Sequence, residues 1–192
     1  MTKYILIGIV ALIAIGILIS CNGKKKKSLS EKGQQIENKT EQNPYMDMRQ
    51  MAFSTKAEQI GLENIKNDKV YGLITEMAMN SGSASVISFL TGDTSLYLSS
   101  GGGFIGAGQH EEVREMVKKK VDGFQKYLSN VEKIDKPKLP ESGKVNFNFL
   151  TKNGIYSVTE NMADLESGKS ELSTLFAEVN EIITQIRLKS GK

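Results

Sequence analysis

The chain has 192 residues, 39% of them hydrophobic, a net charge of +3 and a single cysteine. Lys3, Lys24 to Lys27, Lys32 and Lys39 stand against Glu31, Glu37 and Glu41 before residue 44, a surplus of four that leaves −1 for everything after it. No basic face is left to hold nucleic acid, and one thiol can neither close a disulfide nor build a thiolate metal site.

In chain order, Met1-Thr2-Lys3 leads into an uncharged run, Tyr4 to Ser20, and then Cys21. A short positive start, an apolar stretch and a small residue before a cysteine read as an export signal. Leu18, Ile19, Ser20 and Cys21 fit a lipobox position by position: aliphatic, variable, small, cysteine. The segment therefore resembles the signal of bacterial lipoproteins. That resemblance implies a diacylglyceryl group on the Cys21 sulfur, cleavage before Cys21 and acylation of the new amino group. Membrane lipid is then the anchor, with palmitate-like chains worth about 0.8 kcal/mol per buried methylene. The alternative is an uncleaved single-pass helix. Tyr4 to Cys21 is 18 residues, at the short end for a span. Lys24 to Lys27 after the run, against Lys3 before it, would keep the rest of the chain in the cytoplasm. The lipoprotein reading, with the domain on the exported side, is favoured because the only cysteine falls at the lipobox position.

Residues 22–43 are rich in Lys, Gln, Asn, Ser and Glu, with Leu29 and Ile36 as the only large apolar residues. Such a segment buries too little surface to fold and reads as a tether, spanning roughly 25 Å as a flexible chain. Its lysines could touch anionic headgroups, at about 1 kcal/mol each. Residues 44–192 are enough for one core and one domain.

Within that domain, Ser54 or Thr55 with Glu58 forms a capping-box candidate for a short helix ending near Gly61. Its apolar side would carry Met46, Met48, Met51, Ala52, Ala57, Ile60 and Leu62, as core filling or as an adaptable surface. Val70–Met79, Ala84–Leu90 and Thr94–Ser99 read as strands, separated by Asn80-Ser81-Gly82-Ser83 and Thr91-Gly92-Asp93. An apolar stripe from Val113 to Val131 predicts one long surface helix over 109–134. Lys144–Thr151 and Ile155–Glu160 read as a hairpin across Asn153-Gly154. The stripe Leu172, Leu175, Phe176, Val179, Ile182, Ile183 and Ile186 predicts a last helix over 170–188. The expectation is a single α+β domain: a roughly five-stranded antiparallel sheet with two long amphipathic helices and a short N-terminal one. This order is similar to that of roadblock-type and profilin-like domains, which implies pairing through an edge or a helix and hence a homodimer. Residues 88–114 also resemble a group of small bacterial proteins with no assigned role.

One local pattern is sharp. Gly101, Gly103 and Gly106 satisfy G-x-G-x-x-G, with Gly102 and Gly108 added and His110 just beyond. A strand before it and a helix after it are the context of a phosphate cradle. Glu111 and Glu112 would repel a phosphate there, no second parallel strand follows, and no Lys-Ser/Thr pair makes it a P-loop. The loop reads first as a tight crossover, then as a binding loop for a partner or small anion. His110, the only histidine, lacks a placed partner for base catalysis. One His and a lipidated Cys cannot bind zinc, the Asp residues lack EF-hand spacing, and no G-x-S-x-G occurs. The expectation is a membrane-tethered domain that binds an unknown protein partner, without catalytic residues, metal or cofactor. The alternative is a ligand-binding domain or enzyme built on the glycine loop.

Overall fold

The structure is a computed structural model that describes residues 43–189. Leu18, Ile19, Ser20, Cys21 and the tether as far as residue 42 lie outside the described residues. The described residues form one compact unit.

The fold is α+β, with one antiparallel sheet and four α-helices. Seven strands build the sheet, not five. They are β1 Gly72–Met79, β2 Gly82–Phe89, β3 Thr94–Leu98, β4 Gly103–Phe104, β5 Glu132–Ile134, β6 Lys144–Thr151 and β7 Gly154–Asn161. Their order is β4-β3-β2-β1-β6-β7-β5, with every neighbouring pair antiparallel. The helices are α1 Pro44–Ser54, α2 Glu111–Gly123, α3 Met162–Glu166 and α4 Ser173–Lys189. The two added strands are the edges, two and three residues long. Segments that short carry no readable alternation. They also leave little free ladder for edge-to-edge pairing.

The expected helix over 109–134 is three elements. α2 ends at Gly123, a 3-10 turn runs Phe124–Asn130, and β5 follows. The stripe still points inward, since Val113, Val117, Val121 and Phe124 are buried. Burial alone kept the period, while Ser129 and Asn130, poor helix formers, let the chain turn so that Glu132–Ile134 could pair with Ile155–Ser157.

The N-terminal helix also sits earlier than expected. Asn43 caps it through Oδ1, which accepts from the Tyr45 N–H at 3.2 Å, and Pro44 takes the first turn. Ser54 and Thr55 instead donate back to the carbonyls of Gln50 and Met51. Gly61, at φ 78°, closes a separate 3-10 turn over Ala57–Ile60. Met46 and Met51 are exposed, whereas Tyr45, Arg49 and Ala52 are buried. The helix turns a charged residue inward in place of Met46 and Met51, while Ala52 and Ala57 of the expected apolar side are buried and Ile60 and Leu62 pack against them.

Strand alternation divides the core in two. Leu73, Met77, Val86, Val145, Phe147 and Phe149 pack under α2 and α4. Ile74, Ile87, Phe89 and Leu150 pack with Ala52, Ala57 and Tyr71 on the opposite face. That second face also carries Glu76, at 0% exposure in the central strand. Arg49 donates to it twice, from Nε at 2.6 Å and from an Nη at 2.8 Å. Ser85 donates to the same carboxylate at 3.2 Å and lies 2.8 Å from the Tyr45 hydroxyl. The guanidinium also reaches the Pro137 carbonyl at 3.4 Å and stacks 4.8 Å from the Phe53 ring centre.

Removing one partner of such a pair strands a buried charge, at about 3–5 kcal/mol. Arg49→Met should therefore lower stability by that order in urea unfolding. Adding Glu76→Leu to it should recover most of the loss. A single variant as stable as the parent would refute the role of the pair.

Two phenols give a second expectation. Burial pushes Tyr45 above its ordinary 10.0, opposed by its hydrogen bond with Ser85. Burial raises Tyr71 too, with the Glu58 charge adding to it, and its hydroxyl donates to the Thr55 carbonyl at 2.8 Å. Folding thus favours the neutral phenols, so their contribution is full below pH 10 and is lost as pH rises through the folded values. The melting temperature should fall above about pH 10, less steeply in Tyr45→Phe/Tyr71→Phe, as thermal melts across pH 8–12 would record.

Candidate functional site

The glycine-rich stretch is an edge hairpin. Ser99–Gly102 form the turn between β3 and β4, where the Gly101 N–H donates to Leu98 at 3.0 Å and the Leu98 N–H to Gly102 at 3.2 Å. Gly103 pairs with Tyr97 in the ladder, and a Cβ on it would overlap the Leu96 carbonyl oxygen. Gly106, at φ 76°, starts a 3-10 turn over Ala107–Gln109. Its N–H donates to the Ser95 hydroxyl at 3.2 Å. Gly108 is buried, and a Cβ there would meet the Gly92 carbonyl. The amides of Gly101 and Gly106 are thus already used inside the protein. His110 is exposed at the start of α2 and makes no side-chain capping bond. Glu111 pairs with Arg114 at 3.3 Å and Glu112 with Lys189 at 2.7 Å. The six residues of the sequence pattern are therefore not brought to one point. Gly101 and Gly102 border a shallow groove of about 480 Å³ beside Asn43, Pro44 and Tyr45, whereas Gly103 lines a different one.

That second groove, of about 680 Å³, lies between α4 and the end of the sheet. Its sheet wall is Met77 and Met79 of β1, Ala84 of β2, Leu96 and Leu98 of β3, and Phe104 of β4. Its helix wall is Phe176, Ile183 and Ile186 of α4, with Met162 of α3. Glu166, Asn180 and Arg187 are the charged or amide groups that reach it, and all three are exposed. Two ion pairs between α2 and α4 hold the helix wall in place, Lys120–Glu181 and Lys189–Glu112, both at 2.7 Å. α4 turns Ile182 and Ile186 fully inward. Toward the sheet edge it leaves Leu96, Leu98, Phe104 and Ile183 only half-buried, and Met79 54% exposed. A cleft of this size, mostly apolar with a few polar groups, has the character of a ligand site.

Sequence reasoning missed this groove. It placed Ile183 and Ile186 on the inward stripe of the last helix, which is where a period of 3.6 puts them whether or not anything covers them. Among the described residues no three His, Cys, Asp or Glu side chains are grouped to hold a metal ion. Nor is any helix among them long and apolar enough to cross a membrane. No family model, curated protein or solved structure matches the chain.

The glycines separate by cause. Gly103→Ala and Gly108→Ala should each lower the melting temperature by several degrees, because backbone must move. Gly102→Ala, at φ 80° with open space around it, should cost only the left-handed backbone, about 1–2 kcal/mol. Thermal unfolding of the three variants checks the order.

Proposed function

We propose that this chain is a membrane-tethered binding protein without catalysis of its own. Cys21 carries the lipid anchor, residues 22–43 space the domain from the bilayer, and the α+β domain binds through its apolar groove. The observation that supports the reading most is the groove itself: about 680 Å³ of mostly apolar space at the edge of a sheet. Leaving that much apolar surface uncovered is unfavourable for the free domain, and a partner that fills it removes the cost. The methionines in its wall suit an adaptable fit.

The reading is tested on the full chain, made in a bacterium that processes lipoproteins. The mature mass should begin at Cys21 with added acyl chains, and Cys21→Ser should leave the precursor uncleaved. A mass beginning at Met1 would replace the lipid anchor by an uncleaved apolar helix with the domain in the cytoplasm. For the groove, a polarity-sensitive naphthalene dye should brighten on binding. Ile183→Glu should abolish most of that signal while leaving circular dichroism unchanged. Equal brightening in both proteins would remove the groove from the proposal.

A further inference from the structure

We infer that the groove takes one hydrocarbon chain of a zwitterionic amphiphile, a single-chain phospholipid. This rests on the groove being the binding site. Three features of the groove select that class.

The first is the wall. Met77, Met79 and Met162 give it flexible thioethers, which follow an unbranched chain without imposing a shape. Its charged or amide groups are confined to Glu166, Asn180 and Arg187. A ligand read by hydrogen bonds along its whole length would need donors and acceptors in the wall as well. Hydrocarbon needs none.

The second is size. The volume of about 680 Å³ lies inside the range of small-ligand cavities, roughly 300–1,000 Å³. An amphipathic helix of three turns, about 10 Å wide and 16 Å long, sweeps roughly 1,300 Å³. About half of it would stay outside, with its ends uncovered.

The third is charge. The exposed polar groups are one carboxylate, one amide and one guanidinium. Asn180, Ile183 and Arg187 recur along α4 at steps of three and four, so one helix face carries the amide, an apolar contact and the guanidinium. A head with both signs can set an ammonium toward Glu166 and a phosphate toward Arg187. A fatty acid presents a carboxylate with nothing to offer Glu166. Arg187 is also engaged within the domain, and a guanidinium has five donors, enough to serve a phosphate as well.

The test uses the full chain reconstituted in diacyl phosphatidylcholine vesicles. The probe is lysophosphatidylethanolamine with a diazirine in its acyl chain. After irradiation, adducts should map to the strands and helix that wall the groove, Met79 and Ile183 included. Ile183→Glu should reduce them at least tenfold. Unlabelled lysophosphatidylethanolamine should compete, gaining about fourfold in potency per added methylene until the groove is full. A fatty acid of equal length should compete at least tenfold less well. Glu166→Gln should narrow that gap, and an unchanged gap would overturn the role of Glu166.

Adducts absent from the domain while the dye still binds would sink the lipid and leave the groove. Loss of both would sink the groove as well. Equal competition by fatty acid and lysolipid would overturn the zwitterionic head. In a separate arm, Ile183→Cys is treated with a mild oxidant, and a disulfide joining two chains through that position would assign the groove to a second copy and overturn the lipid.

Discussion

The docking of α1 on this sheet turns on one buried carboxylate. Glu76 sits in the central strand with no solvent contact, between Ser85 on β2 and Asn146 on β6. A charge there is tolerable only when paired and hydrogen-bonded. Arg49 supplies the opposite charge and two of the three hydrogen bonds, and it arrives on α1, so the helix must dock for the charge to be met. Tyr45, one turn before it, completes the network through Ser85. The polar character continues across β6 and β7. Asn146 accepts from Thr159 at 2.8 Å, and Asn148 accepts from Ser157 at 2.9 Å. This face adds the direction of its hydrogen bonds to the apolar contacts of Ile74, Ile87, Phe89 and Leu150.

The opposite face works the other way. Its contacts are apolar, under α2 and α4, and apolar contacts have no required geometry. α4 therefore packs against α2, α3 and β3 without covering Leu96, Leu98 and Phe104 completely. The groove is the consequence of that placement. One face is closed by a specific charge pair, and the other is left open at one corner by non-directional packing.

Most of the strands and the last helix were legible because a buried face writes a period into the sequence. β1, β2, β3, β6 and β7 lie within two residues of their expected bounds, and the Asn153-Gly154 turn is where the pairing reverses. β4 and β5 were illegible, since two or three residues cannot display alternation. The break of the long stripe at Gly123 was hidden for a related reason. Leu128 and Val131 stay half-buried after the α-helix has ended, so burial persists where backbone geometry changes.

The sequence by itself determined the class of the fold, the hairpins, the two long inward faces and the crowding of glycines after β3. Each of these is local, fixed by spacing and turn chemistry within a few residues. Only the tertiary structure decided that Arg49 faces inward, because its partner Glu76 is 27 residues away. It alone decided that the glycines serve a hairpin and a close approach to Gly92, since nothing in G-x-G-x-x-G says which backbone lies opposite. It also decided which apolar residues are covered. A sequence shows that Leu96 and Ile183 belong to apolar faces, but whether the facing surface comes close enough to exclude a ligand depends on how two distant elements pack.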